Sequence, residues 1–120
     1  MNSITHNLVP VECIWKEKNG EVSSETVCDL VGDAIVEDKV TLHRKFLVDL
    51  RAGNFRETVS GIYTLGPRMQ DRGLIKEHKV ALLCAGQTTY YEFLESVLDK
   101  RGFHNVRIFF SLSEAYEWLR

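Results

Sequence analysis

The feature of this chain that most restricts its fold is a regular alternation between two kinds of segment. Short continuous apolar runs alternate with longer segments whose apolar residues recur at helical spacing. Four short apolar runs predict strands, at residues 11–15, 46–50, 80–84 and 106–110. The segments that follow them space their apolar residues three and four apart, as amphipathic helices do. The resulting order β-α-β-α-β-α-β-α predicts an α/β sandwich with a mainly parallel sheet of four to five strands and about four helices.

The strand patterns also predict positions within that sheet. The run at 80–84 (VALLC) is apolar on both faces, which is typical of a central parallel strand. Arg107 interrupts one face of the run at 106–110, so we expect this strand nearer an edge. Two alternatives remain open near the N-terminus: residues 3–6 add a short antiparallel strand, or an Asn19-Gly20 turn makes a small hairpin after the first strand.

Polar residues at fixed spacing predict where the helices begin. Ser24 is expected to cap the first helix, and Ser111, with Glu114 three residues later, the last. The pattern N-x-x-E at Asn54 and Glu57 predicts a capping box, with the second helix starting at Asn54. Another such pattern, at Thr89 and Glu92, predicts the start of the third helix.

The apolar periods predict which side of each helix is buried. For the second helix the predicted buried residues are Val59, Ile62, Tyr63, Gly66 and Met69. For the third helix they are Tyr90, Leu94, Val97 and Leu98. The dipeptide Gly66-Pro67 predicts a kink or a break within the second helix, because proline lacks the N–H that a helix interior needs.

Size and charge narrow the class of protein. A chain of 120 residues, 44% of them apolar, suffices for one domain over residues 1–120 but not for two. With 15 basic and 17 acidic residues the net charge is -2, which gives no electrostatic basis for nucleic-acid binding. The segment MNSITHNLVPVECIW resembles no signal peptide, and no run of eighteen apolar residues predicts a membrane span. We therefore expect a cytoplasmic protein whose three cysteines are reduced and structural.

No enzyme signature is found in the sequence. A dinucleotide fingerprint, a P-loop and a nucleophile elbow are all missing, and the four histidines lack metal-ligand spacing. Asp49 lies in the right sort of strand for the phosphorylated aspartate of a receiver domain, but no acidic pair follows the first strand to help hold a cation. We therefore predict a non-catalytic domain without metal or cofactor.

Three motifs, in order over about residues 11–119, resemble the SpoIIAA-like branch of the STAS superfamily, the domain of anti-sigma-factor antagonists. They are GEVS at 20–23, FLVDLR at 46–51, and VRIF at 106–109 followed by SEAYEWL at 113–119. The resemblance implies a regulatory or protein-interaction module with a protein partner. In that family a serine at the start of the helix after the VDL-type strand is phosphorylated, and this switches partner binding.

The corresponding segment here is Glu57-Thr58-Val59-Ser60-Gly61 in place of the family's D-S-S-G. Alignment from the strand places Thr58 at the phosphate acceptor, whereas alignment on Gly61 places Ser60 beside it. A helix that starts at Asn54 would leave Thr58 beyond its first exposed N–H groups. The two hydroxyls are therefore candidate acceptors, with ordinary local hydrogen bonding as the alternative.

Two further candidate surfaces follow from the predicted fold. Ligands of open α/β sheets gather beyond the carboxyl ends of the strands, and polar residues follow two of these strands. These candidate ligand or partner residues are Arg51, Asn54, Gln87, Thr88 and Thr89. On the first helix an acidic row predicts a docking face for a basic partner. It comprises Glu25, Asp29, Asp33 and Glu37. Arg68 and Arg72 would complement that row in a homodimer.

A second function class is a carrier of a small apolar ligand or lipid, because SpoIIAA-like domains resemble lipid-transfer folds of the SEC14 type. The aromatic residues at 90–93 and 103–110 would then line an apolar pocket. A filled core with an exposed apolar patch would favour the interaction module instead. The sequence identifies neither the partner or ligand nor the oligomeric state.

Overall fold

A computed structural model describes residues 9–86 and 88–120, including the backbone but not the side chain of Thr88. The elements along these residues are β1 (Ile14–Glu17), β2 (Gly20–Val22), α1 (Ser24–Thr41), β3 (Lys45–Asp49), β4 (Gly53–Phe55), α2 (Val59–Asp71), β5 (Lys79–Leu83), α3 (Thr88–Lys100), β6 (Val106–Phe109) and α4 (Leu112–Leu119). The predicted strand over residues 3–6 and the predicted ligand residue Gln87 lie outside the described residues.

The main sheet consists of four parallel strands in the order β1-β3-β5-β6. The prediction of an α/β domain with a mainly parallel sheet is confirmed, with β5 inside the sheet and β6 at its edge. Each connection moves one position in the same direction across the sheet. The helices α1, α2 and α3 all pack on one face, over buried strand residues that include Phe46, Val48 and Leu82.

The other face of the main sheet is covered by α4. Ala115, Tyr116 and Leu119 of this helix pack against Leu47 and Leu83 of the central strands. Successive residues of β3 and β5 point to opposite faces of the sheet. One face is covered by α1, α2 and α3 and the other by α4, so all the apolar residues of these two strands are buried.

A second, two-stranded parallel sheet pairs β2 with β4 and extends the β1–β3 pair beyond its carboxyl end. The hairpin alternative at Asn19-Gly20 is therefore wrong, since Gly20 pairs with Gly53 in parallel register. Close approach of the two strands requires glycine at position 53, because a Cβ there would lie 2.7 Å from Cγ2 of Val22. The first strand also begins later than predicted, at Ile14, although Val11 and Cys13 do pack on the α4 side.

The helix starts differ from prediction by a few residues except in α4. Ser23, rather than Ser24, caps α1 in a capping box with Thr26. The third helix already includes Thr88, one residue before the predicted cap. In α4 the predicted cap is confirmed, because the Ser111 hydroxyl accepts from the Glu114 amide. The start of α2 differs most and is described with the site.

Of the kink or break predicted at Gly66-Pro67, the break is wrong, because α2 runs without interruption through Pro67. The helix ends four residues later, at Asp71, so proline removes only one hydrogen bond near its C-terminal end. None of the helices in residues 9–86 and 88–120 is both long and apolar enough to span a membrane.

Candidate functional site

The second helix begins at Val59, with Thr58 as its N-cap. The Thr58 hydroxyl accepts from the Gly61 amide at 3.0 Å. The predicted capping box of Asn54 and Glu57 is wrong, because Asn54 lies in β4 and pairs there with β2. Strand pairing competes with the local capping pattern at this position, and the helix starts only after the strand ends. Thr58 therefore lies directly at a helix N-terminus rather than beyond its exposed N–H groups.

Glu57 links the first turns of two helices. One carboxylate oxygen accepts from the Ser24 amide at 2.9 Å, and the other accepts from the Thr58 amide at 2.9 Å. Ser24 is the first residue of α1, so the carboxylate lies near the positive ends of both helix dipoles. These two hydrogen bonds hold the pKa of Glu57 below its usual value, and the one from the Ser24 amide has the larger effect. We call this arrangement of Glu57, Ser24 and Thr58 the Glu57 clip.

Two exposed hydroxyl groups lie beside the clip. The Thr58 and Ser60 hydroxyl oxygens are 3.2 Å apart, and the Thr58 oxygen is 3.5 Å from the Glu57 carboxylate. Gly61 leaves the space that the carboxylate occupies, since a Cβ at Gly61 would overlap it. Any negative charge added to Thr58 would therefore lie next to an existing carboxylate and at the N-terminus of α2.

An aromatic patch, formed by Val59, Tyr63 and Phe93, is exposed next to these hydroxyls. The three side chains are 62%, 43% and 40% exposed, although the sequence predicts burial of Val59 and Tyr63. That prediction is wrong because Ile62, Leu65 and Met69 already fill the sheet side of α2, and the row at 59 and 63 faces outward. The Tyr63 and Phe93 rings meet edge to face, with centroids 6.4 Å apart.

A cleft of about 520 Å³ lies beyond the carboxyl ends of β3 and β5. The segment from Gly53 to Glu57 forms one side, and Ala85, Gly86 and the start of α3 form the other. Of the predicted ligand residues only Asn54 lines this cleft among the described side chains, and its amide group donates to Glu21 at 3.4 Å. Thr89 is exposed in the first turn of α3.

Arg51, another predicted ligand residue, is paired within the chain. Its guanidinium donates to both oxygens of Asp49, at 3.0 and 2.9 Å, and its amide donates to the same carboxylate. Asp49 is only 9% exposed, so this bidentate pair satisfies a carboxylate that little water reaches. The hydrogen bonds from the Arg51 side chain lower the pKa of Asp49 against the opposing effect of burial.

Replacing Arg51 by alanine is expected to raise the pKa of Asp49, because burial would then act without the guanidinium hydrogen bonds. A carboxyl group whose pKa is lower in the folded chain than in the unfolded chain stabilises the fold at pH values above the unfolded-state pKa. This stabilisation is lost as the pH falls through the folded-state pKa. The stability difference between wild type and Arg51→Ala should therefore shrink on acidification. Carbon-13 NMR titration of the carboxyl group measures the shift, with Arg56→Ala as control. An unchanged titration midpoint for the Asp49 carboxyl group would contradict its pairing with Arg51.

The predicted acidic docking face lies on α1 and is largely paired inside the chain. Arg68 contacts Glu25, and Arg72 contacts both Glu25, at 2.6 Å, and Asp29. These are the two arginines that the sequence offers as a complement across a homodimer. In this structure Arg68 lies on the neighbouring helix α2 and Arg72 directly after its end, and both bind the row of the same chain. Exposed pairs of this kind contribute little stability individually, but they offset most of the charge of the row.

The remaining two carboxylates of the row differ from each other. Glu37 pairs with Lys16 of β1, whereas Asp33 is exposed and forms no ion pair among the described residues. The docking face therefore presents less net negative charge than its sequence pattern indicates.

The cysteines differ in how far burial suppresses their reactivity. Burial raises the pKa of all three thiols, to about 11 for Cys28 and about 12 for Cys84, but Cys13 is partly exposed whereas the other two are buried. Because the thiolate is the reactive form, iodoacetamide should modify Cys13 of the native chain well before the other two. Peptide mass spectrometry measures the order, with the urea-unfolded chain as control. Equal native rates for all three would show that the core is not packed as described.

Sequence reasoning did not find the Glu57 clip, the aromatic patch or strand β4. Thr58 could have indicated the true start of α2, because threonine is itself a preferred N-cap residue. Val59 is three residues before Ile62, and Tyr63 is three before Gly66, so apolar spacing alone groups the exposed row with the buried side of the helix. The contact between Glu57 and Ser24 joins residues 33 positions apart and has no local signal.

No family model, curated protein or solved structure matches this chain, so the resemblance to SpoIIAA-like domains depends on its sequence motifs. The described residues also contain no group of three or more histidine, cysteine or acidic side chains positioned to hold a metal ion.

Proposed function

We propose that this domain is a non-catalytic regulatory module of the SpoIIAA-like type that binds a protein partner through the aromatic patch. The observation that carries the proposal is the position of this exposed patch directly beside the Thr58 and Ser60 hydroxyls at the N-terminus of α2. Large exposed apolar side chains in a contiguous group favour an interaction site. Tyrosine and phenylalanine are also enriched at the centres of protein interfaces.

The Glu57 clip supports regulation at the same surface. A phosphoryl group on Thr58 would add about two negative charges close to the Glu57 carboxylate. Repulsion between them would drive Glu57 away from the Ser24 amide, and the phosphate would then accept from the N–H groups of α2. This would change the charge of the docking surface without any large rearrangement of the sheet.

The carrier alternative has less support. Phe103 and Ile108, from one of the aromatic segments that would line an apolar pocket, are buried in the main core. The neighbouring cleft has a volume of about 500 Å³, and half of its described lining residues are charged, among them Glu95, Asp99 and Arg107. An apolar ligand would gain little from such a surface.

The proposal is tested by photo-crosslinking in cells that express the chain. Tyr63→p-benzoylphenylalanine places a crosslinker in the patch, and Glu117→p-benzoylphenylalanine, on α4 across the sheet, is the control. We expect a discrete protein adduct from position 63 and none from position 117. Absence of an adduct at 63, or the same adducts from both positions, would refute docking through this patch.

A further inference from the structure

The cleft beside β4 is bordered by a strand edge with no described partner. In the β2–β4 pair, the Gly20 amide donates to Ala52 at 3.3 Å, and the Arg56 amide donates to Val22 at 2.9 Å. Residues 52, 54 and 56 therefore direct their peptide groups to β2, and in a parallel ladder the residues between them face the other way. The N–H and C=O of Phe55 thus face the cleft, and no described residue hydrogen-bonds to either group.

We propose that this open edge of β4 binds an extended peptide segment carrying an acidic side chain, which would become the third strand of the β2–β4 sheet. The inference goes beyond the proposed function, because it concerns a surface other than the aromatic patch. An open strand edge is a ready template for strand addition, in which main-chain hydrogen bonds supply affinity and side-chain pockets supply specificity.

The opposite side of the cleft leaves room for such a strand. Ala85 and Gly86 follow β5 and are both exposed, and a Cβ placed on Gly86 would meet no heavy atom within 4 Å. Tyr90 and Tyr91 of α3 line the inner part of the cleft. A peptide that enters would therefore have backbone partners on one side and aromatic surface beneath it.

One exposed cation at the rim offers a partner to an acidic side chain of the peptide. The Arg56 side chain at the rim is 73% exposed, and its Nε is 3.8 Å from a Glu21 carboxylate oxygen that is itself exposed. An exposed pair at this distance is weak, so the guanidinium remains available to a carboxylate of the partner. Glu57 also lines the cleft, and its carboxylate already accepts from two backbone amides.

A phage-displayed library of random peptides, selected on the wild-type chain, provides the probe. We expect acidic sequences to be enriched, and the synthetic form of the strongest binder should lose about tenfold or more in affinity for both Arg56→Glu and Ala85→Trp. Two controls should keep the affinity within about twofold. Arg101→Glu makes the same charge change elsewhere, and Ala52→Trp adds the same bulk outside the cleft.

Amide hydrogen exchange then distinguishes strand addition from simple attraction to Arg56. The Phe55 amide should exchange at least about tenfold more slowly with the peptide bound, whereas the Asn54 amide, which already faces β2, should change little. An unaltered Phe55 rate would overturn the proposal, as would a selection that enriches no peptide or yields binders indifferent to Ala85→Trp. Because crosslinking at position 63 reports on another surface, either idea can fail while the other survives.

Discussion

Replacing Gly66 by alanine is expected to lower the free energy of unfolding by about 1–3 kcal/mol, although alanine is the better helix former. Gly66 is buried in α2, and a Cβ there would lie 2.7 Å from Cζ of Phe103 and closer still to two other atoms of that ring. Phe103 is only 8% exposed, so its ring cannot move aside without disturbing the core.

A matched control is available in α1. A Cβ at Gly32 would lie 3.5 Å from Cβ of Arg72, which is an ordinary contact. Gly32→Ala should therefore stabilise the chain, by up to about 1 kcal/mol from helix propensity. Urea unfolding of both variants measures the two signs. Equal stabilisation by both substitutions would show that α2 and Phe103 are not packed as closely as described.

Replacing Glu57 by alanine should cost about 1–2 kcal/mol, because the amides of Ser24 and Thr58 lose their acceptor at two helix N-termini. Glu57→Gln keeps a neutral acceptor and should cost less. The Ser24 amide should exchange faster in the alanine variant, which locates the loss at α1. An alanine variant as stable as wild type, with Ser24 exchange unchanged, would contradict the clip.

The clip also predicts how stability depends on pH. The pKa of Glu57 is lower in the folded chain than its usual value. Ionised Glu57 therefore stabilises the fold at pH values above the usual pKa. The contribution is lost as the pH falls through the lowered folded-state pKa. Wild type and Glu57→Gln should therefore approach each other in stability on acidification. A difference that stays constant with pH would indicate that the charge of Glu57 is not involved.

The main sheet was predictable because its evidence is local and repeated. The runs at 46–50 and 80–84 are continuous and apolar, and the helices between the strands carry clear apolar periods. The short strands β2 and β4 have three residues each, too few for a periodic pattern. Their pairing depends on contacts between residues more than thirty positions apart, which local propensities do not encode.

The candidate site was only partly predictable for the same reason. Thr58 and Ser60 were found through a resemblance, but the start of the helix was misplaced because N-x-x-E at Asn54 imitates a capping box. The sequence predicts Arg51 as a ligand residue and the acidic row as a docking face. Their partners within the chain, Asp49 for the arginine and Arg72 for the row, emerge only when helices and strands are packed together.

The central claim is that a protein partner binds the aromatic patch and that charge at Thr58 controls this binding. Its most direct test measures the yield of the crosslinked adduct from Tyr63→p-benzoylphenylalanine in two chains that each carry a second substitution, at Thr58. Both Thr58→Asp and Thr58→Asn preserve a good N-cap, but only the first adds a charge beside Glu57. We predict that aspartate lowers the crosslinking yield about tenfold and asparagine changes it less than about twofold. Equal yields from the two variants would contradict the account.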